Sequence, residues 1–133
     1  MVFFDDLETR SGDERAAELA DILPSQIARA KALGGYKTTL ADITARDITS
    51  ATALAQLPVL RKSVLSQAQG SASPLGGFTT RNVTGFGHIF QSPGPIYEPG
   101  GIEFDWWRMG RFLHACGIGS GDIVQNCFAY HLT

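Results

Sequence analysis

The chain has 133 residues, a formal net charge of -2 and a pI near 5.8, so no electrostatic feature of its composition points to nucleic acid or to an anionic membrane. Hydrophobic residues make up 44% of the sequence and charged residues 18%, as in an ordinary globular domain. No apolar run approaches the roughly 20 residues of a membrane-spanning helix, and no positive segment precedes the apolar patch at the N-terminus. We therefore expect one cytoplasmic domain with no membrane or nucleic-acid partner.

The first predicted element is a long helix near the N-terminus. Ser11 followed by Glu14 has the pattern of a capping box, in which a hydroxyl and a carboxylate satisfy the first free N–H groups of a helix. Apolar residues then recur at helical spacing from Ala16 to Ala30. Pro24 interrupts this pattern, which predicts a kink or two helices that meet near that residue.

Two short helices are predicted next. Ser50 is the expected cap of a helix that continues to Leu57, where Pro58 stops it. Ser63 is the expected cap of a second helix that continues to about Gln69. Residues 70–80 are rich in Gly, Ser and Pro and are predicted to form a loop.

A strand, a loop, a helix and a second strand are predicted in the last third of the chain. The apolar run Thr84–Ile89 precedes a loop rich in Ser, Gly and Pro that extends from Phe90 to Gly101. Residues 105–116 have helical spacing, with Asp105 as a plausible cap and Gly117 as the stop. Residues 122–130 are apolar enough for a strand that is covered on both faces.

The predicted fold is therefore α/β, with N-terminal helices followed by a partial sheet. One domain is expected over residues 1–133, helical over 11–69 and with the strand–loop–helix–strand unit over 84–131. Trp106 is predicted to pack against the N-terminal helices, with Arg108 directed to solvent or to an acidic partner. The cysteines, Cys116 and Cys127, are too few for a disulfide framework, and their apolar surroundings predict buried thiols.

The loop of the predicted unit is the candidate binding site, because ligands of such units bind at the carboxyl end of the first strand. Ser92 and Gly94 would allow a phosphate group to approach the backbone. In contrast, Pro93, Pro95 and Pro99 have no N–H to donate, and no Walker lysine follows them. A rigid turn and a phosphate cradle both remain open.

Several segments resemble the N-terminal part of phenylacetate–coenzyme A ligases, within the adenylate-forming superfamily. The resemblance extends over nearly the whole chain. The loop–helix–Gly-Asp–strand order is one of its more specific parts, together with the Leu-Pro-x-x-x-Lys pattern that ends at Lys62. The segments that carry it are residues 13–30, 54–62, 92–100, 106–108 and 121–128.

This resemblance implies an enzyme that uses ATP and Mg²⁺ to form an acyl-adenylate and then transfers the acyl group to coenzyme A. In the family a phosphate-binding loop that carries threonines and a lysine occupies the place of residues 92–100. This chain has a degenerate version of that loop, with Pro95, Ile96 and Glu98 at the differing positions. The resemblance implies cofactor contacts by Ser92, Pro93, Gly94, Pro95, Ile96, Tyr97 and Glu98, and contacts to the acid by Tyr130 and His131.

The leading interpretation is an N-terminal fragment of an acid–coenzyme A ligase that acts on a small aryl carboxylic acid and is inactive alone. No catalytic residue and no metal ligand is assigned to it. Its expected partner is the remainder of the ligase or a second copy, which would cover the apolar residues 123–130. The alternative is a non-catalytic ligand-binding or protein-interaction domain derived from the same family.

Overall fold

The computed structural model describes residues 2–70 and 72–127. Within these residues the fold is mixed α/β, as expected, with four α-helices and a two-stranded antiparallel sheet. No described helix has both the length and the apolar character that crossing a membrane requires. The helices are α1 (Gly12–Lys31), α2 (Ala51–Leu54), α3 (Lys62–Ala68) and α4 (Gly110–Ala115), and the strands are β1 (His88–Ser92) and β2 (Ile96–Gly100).

Helix α1 begins at the predicted capping box. The Ser11 hydroxyl accepts a hydrogen bond from the Glu14 N–H at 3.2 Å, and the Glu14 carboxylate accepts one from the Ser11 N–H at 2.7 Å. The hydrogen bond from the Ser11 N–H to the carboxylate lowers the pKa of Glu14. The helix continues through Pro24, so of the two predicted alternatives, a kink or two helices, the second is wrong. A proline inside a helix removes one backbone donor, and the neighbouring hydrogen bonds preserve the element here.

The buried core lies along one side of α1. Leu23 and Ile27 pack against Ile48, and all three are buried. Half-buried apolar side chains from the following turns and from α2 surround this cluster: Ile43, Ala45, Ala53 and Leu57. The Lys31 ammonium donates to the carbonyl of Ala41 at 3.2 Å and to that of Ile43, which holds the connecting segment against the end of α1.

The two short helices follow the prediction only in part. The Ser50 hydroxyl caps α2 by accepting from the Ala53 N–H at 3.1 Å, but α2 ends at Leu54 and not at Leu57. Helix α3 begins one residue before Ser63, so the predicted cap is wrong. Ser63 lies inside the first turn, where its carbonyl accepts from the Ser66 hydroxyl at 3.0 Å.

The predicted loop is mostly a β-hairpin. Strands β1 and β2 pair in antiparallel register, with Ser92 opposite Ile96 and His88 opposite Gly100. The connecting turn is Pro93–Pro95, in which Gly94 adopts φ 146, a value that disfavours any residue with a Cβ. The prediction of a loop over residues 90–101 is therefore wrong outside the turn, and the two strands are antiparallel because a turn this short joins only antiparallel neighbours.

The two outer edges of the hairpin differ. The Gln69 side chain accepts from the Tyr97 N–H at 2.8 Å and donates to the Tyr97 carbonyl at 2.7 Å, as a neighbouring strand would. Pro99 is the next outward-facing residue of β2 and has no N–H. No comparable contact from the described residues reaches the outer edge of β1.

The segment after the hairpin forms a shorter helix than predicted. Helix α4 begins at Gly110, whose N–H donates to the Asp105 carboxylate at 2.9 Å. Asp105 therefore supports the start of α4 from outside the helix, in a left-handed conformation with φ 50. Gly117, with φ 81, ends α4 as predicted, and the Ile118 N–H donates to the Leu113 carbonyl at 3.0 Å.

The expected covered strand at residues 122–130 is wrong for the part that the structure describes. Residues 122–127 form no strand, and Ile123 is 100% exposed. Residues 128–130 lie outside the described residues. Cys116 and Cys127 are exposed free thiols, which corrects the prediction that both are buried. None of residues 101–127 is buried, so neither thiol lies in a packed core.

Candidate functional site

The hairpin carries the residues that the sequence singled out. Pro93, Gly94 and Pro95 form its exposed tip, whereas Ile96 is buried beneath it. The Glu98 carboxylate forms an ion pair with the Lys62 ammonium at 3.0 Å. The Leu-Pro-x-x-x-Lys pattern thus brings a cation to a hairpin that has no lysine of its own. Tyr130 and His131, the expected contacts to the acid, lie outside the described residues.

The tip has the chemistry of a rigid turn. Two prolines flank Gly94, so the tip offers one backbone N–H where a phosphate cradle needs several that converge. A cavity of about 280 Å³ lies beside it, between Gly94, Gln69 and Ser66, and no charged side chain lines it. Of the two alternatives open from sequence, the geometry favours the turn.

A second candidate site lies between α1 and the segment that follows β2. It is a cavity of about 430 Å³, which we call the arginine–aromatic pocket. Its lining includes four aromatic rings and two arginines, and no carboxylate. The lining residues are Gln26, Arg29, Ala30, Leu33, Tyr36, Phe78, Thr79, Thr80, Arg81, Phe86, Pro99 and Trp106.

One wall of this pocket depends on a close approach between two loops. The Gly35 N–H donates to the Gly77 carbonyl at 3.0 Å. A Cβ at Gly35 would lie 2.5 Å from the Phe78 ring, which is too close for any side chain without movement of that ring. The absence of a side chain therefore lets Phe78 meet Tyr36 edge to face, with ring centroids 5.1 Å apart.

Arg81 organises the opposite wall. Its guanidinium lies 5.9 Å from the centre of the Phe86 ring and 6.0 Å from that of Trp106, both within the range of cation–π attraction. It also forms a hydrogen-bonded ion pair with Glu103, and the hydrogen bond from Arg81 lowers the pKa of the Glu103 carboxyl. The charge of Arg81 is therefore compensated from outside the pocket.

Of the two arginines that line the pocket, Arg29 is the one whose charge no carboxylate of the described residues compensates. Its guanidinium donates to the neutral side chain of Gln26, three residues earlier on α1. No carboxylate of the described residues pairs with it. The pocket thus combines flat apolar walls with a net positive charge at Arg29, and this combination favours a small anion that carries an aromatic group.

A larger hollow of about 540 Å³ lies on the other side of Arg81. It is lined by two arginines and by the carboxylates of Glu103 and Asp105. Because its charges compensate each other, it offers no preference for an anion or a cation. The arginine–aromatic pocket is the better candidate for a charged ligand.

Trp106 corrects one prediction and identifies what sequence reasoning missed. Its side chain is 36% exposed and faces α1 across the pocket, where we expected it to pack directly on the N-terminal helices. The predicted helical stripe does not exist there, because α4 begins only at Gly110. Arg108 is exposed, as expected. The pocket joins three distant segments, and no spacing in the sequence signals that they meet.

The remaining candidates have structural roles. The His88 ring stacks on Phe90, and the His114 imidazole lies 2.8 Å from the Val2 carbonyl oxygen. No group of three or more metal-ligating side chains occurs among the described residues. Comparison with protein families, with curated proteins and with solved structures finds no match to this chain.

Proposed function

We propose that this chain forms the N-terminal part of an ATP-dependent acid–coenzyme A ligase of the phenylacetate type, in which it contributes to the binding of a small aryl carboxylic acid. The observation that carries the proposal is the arginine–aromatic pocket. Its volume of about 430 Å³ lies in the range of small-molecule sites. The acid would place its ring against the edge-to-face pair of Phe86 and Trp106 and its carboxylate at Arg29.

The sequence resemblance supports the same assignment. Two of the segments that carry it, residues 13–30 and 106–108, supply Arg29 and Trp106 to opposite walls of one pocket. Two others are joined at the hairpin through the ion pair of Lys62 with Glu98. Segments far apart in the sequence thus meet in pairs, which is the behaviour expected of parts of one binding region.

The described residues do not fit a magnesium–nucleotide complex. The hairpin tip offers one N–H, and the Lys62 ammonium nearby is already paired with the Glu98 carboxylate. We therefore assign ATP, Mg²⁺ and coenzyme A to the rest of the proposed ligase and derive no step through them. The chain alone is expected to bind the acid without activating it.

Tryptophan fluorescence tests the proposal, because Trp106 lines the pocket. Titration with phenylacetate should quench the emission saturably, and the neutral phenylacetamide should bind more weakly. Arg29→Gln should weaken phenylacetate binding a few-fold, since an ion pair with an exposed arginine contributes up to about 1 kcal/mol. Arg46→Gln is the matched control, because Arg46 is exposed and lies outside the pocket.

Two results would contradict the proposal. Equal affinity for phenylacetate and phenylacetamide would remove the role of Arg29 and with it the preference for an acid. Release of pyrophosphate from ATP that depends on the acid, by the purified chain alone, would mean that nucleotide handling lies within this chain.

A second candidate function is a non-catalytic protein-interaction domain derived from the same family. It is favoured by the apolar side chains that lie open to solvent, among them Phe104 at 95% exposure and Ile102 at 81%. Phenylacetate titration separates the two candidates, because an interaction domain has no need of a selective carboxylate site.

A further inference from the structure

The outer edge of β1 presents backbone groups that no described residue occupies. In the hairpin, the Tyr97 N–H and carbonyl point outward to Gln69, so the pair of Tyr97 with Gln91 lacks direct ladder hydrogen bonds. Because such pairs alternate along an antiparallel ladder, the N–H and carbonyl groups of Ile89 and Gln91 also point outward. These groups lie at the outer edge of β1, and Gln69 contacts the opposite edge of the hairpin, that of β2.

Natural sheets usually protect an open edge of this kind, and β1 lacks the protection that charged residues or proline give. Its residues, His88 to Ser92, include no lysine, no proline and no carboxylate. On one face, His88 stacks on Phe90 with ring centroids 5.9 Å apart, and Phe90 meets Trp107 edge to face at 5.6 Å. Phe90 and Trp107 remain 44% and 57% exposed. The edge therefore combines free backbone groups with an uncovered aromatic row.

We infer that β1 pairs with β1 of a second copy of this chain, in antiparallel orientation, to form a four-stranded sheet across a two-fold axis. The outward groups fix the register. Ile89 of one copy exchanges two hydrogen bonds with Gln91 of the other, and the reverse exchange adds two more. The axis then passes beside Phe90, which faces its own symmetry equivalent in a non-hydrogen-bonded pair.

This register joins the aromatic rows of the two copies. Residues directly opposite each other on one face of an antiparallel pair have Cβ atoms about 4.5–5.5 Å apart. Phe90 therefore reaches the second Phe90, and the rings of His88 and Trp107 extend the row on either side. A strand without charged residues can adopt this pairing with itself, whereas charged residues opposite their own copies would repel.

The side chains beside this edge add apolar area to the pairing. Ile89, Phe90 and Trp107 are 42%, 44% and 57% exposed, so a second copy would remove apolar surface from water as well as satisfy the backbone groups. Pairing through β1 leaves the arginine–aromatic pocket, to which β2 contributes Pro99, untouched.

Sedimentation velocity and cysteine cross-linking test the inference. The wild-type chain should sediment as a dimer. Phe90→Lys should give a monomer, because it places two ammonium groups opposite each other. Phe104→Lys is the control, since Phe104 is more exposed than Phe90 but lies outside β1, and this variant should remain a dimer.

Cross-linking keeps the test decisive if Phe90→Lys fails to fold. In a background with Cys116→Ser and Cys127→Ser, Phe90→Cys should form an intermolecular disulfide under mild oxidation, because Cα atoms of a non-hydrogen-bonded pair lie about 4.5 Å apart, within disulfide range. Ser92→Cys should not, since in this register the two copies of residue 92 lie about 14 Å apart along the strands.

Three results would overturn the inference. One is a wild-type chain that sediments as a monomer over a wide concentration range, which would leave the edge to a strand of some other protein. Another is a dimer that a folded Phe90→Lys leaves intact. The third is a dimer in which Ser92→Cys cross-links as efficiently as Phe90→Cys.

Discussion

The region around α1 and the region around the hairpin are stabilised in different ways. Helix α1 buries Leu23 and Ile27 against Ile48, so its position depends on apolar contacts. The hairpin is attached to α3 mainly by polar contacts, from Gln69 to Tyr97 and from Lys62 to Glu98, and these groups are exposed. Of its apolar side chains Ile96 is buried, whereas Phe90 and the neighbouring Trp107 remain open to solvent.

This difference separates folding from recognition within one small chain. Buried apolar contacts are costly to remove, whereas exposed hydrogen bonds and ion pairs contribute little to global stability. The α1 region should therefore determine the free energy of unfolding. The hairpin region should be free to open locally and to present its aromatic row to a partner.

The largest expected effect is on the core of α1. Ile27→Ala should lower the free energy of unfolding by about 2–5 kcal/mol, because it removes buried methyl groups and leaves a cavity. Trp107→Ala removes a larger side chain, yet it should cost less than Ile27→Ala in the monomer because Trp107 is 57% exposed whereas Ile27 is 7% exposed. Urea unfolding of both variants measures the difference. If Trp107→Ala lowered the free energy of unfolding more than Ile27→Ala does, the proposed difference between the two regions would be wrong.

A smaller and local effect is expected from Gln69→Ala. The Tyr97 amide should exchange its hydrogen roughly fivefold faster, because the loss of a hydrogen bond in a partly exposed site costs about 1 kcal/mol. Amides in the middle of α1 should exchange as in the wild type. Hydrogen exchange followed by NMR checks both at once, with Gln56→Ala as the control since Gln56 is exposed and makes no contact to the hairpin. Uniform acceleration along the chain would mean that the two regions open together.

The smallest expected effect concerns pH and the start of α1. The folded-state pKa of Glu14 lies below its ordinary value of 4.5 because its carboxylate accepts hydrogen bonds at Ser11. Its contribution to stability is therefore present above pH 4.5 and is lost as the pH falls through the lower folded-state pKa. Glu14→Gln should be less stable than the wild type near neutral pH and should approach it in acid. Thermal unfolding across this range checks the sign, and a constant difference would contradict it.

Local signals in the sequence predicted the parts of the fold that depend on near neighbours. Ser11 caps α1, Ser50 caps α2 and Gly117 ends α4, because each needs only hydrogen bonds to residues a few positions away. The hairpin was missed because a run of Gly and Pro also fits a long loop. The ladder that pairs Phe90 with Glu98 is visible only once the two strands meet.

The arginine–aromatic pocket was not predictable because it too depends on segments that meet only in the folded chain, and these segments lie further apart in the sequence than the two strands. Arg29, Phe78 and Trp106 belong to segments with no common periodicity. What brings them together is the close approach of Gly35 to Phe78, and a glycine pair such as Gly34-Gly35 is equally typical of the end of a helix. The candidate site at the hairpin could be predicted from the sequence, whereas the arginine–aromatic pocket forms only through tertiary packing.

The amide of Gln69 has a further consequence for how many copies can join. Each chain has one sheet edge with available donors and one edge where Gln69 occupies Tyr97 and Pro99 lacks a donor. When the β1 edges of two chains pair, the outer edges of the combined sheet are both formed by β2, where Gln69 already bonds to Tyr97 and Pro99 has no N–H to donate. Addition therefore terminates at a particle of fixed mass, and Gln69 together with Pro99 separates a finite assembly from a ribbon that would lengthen without limit.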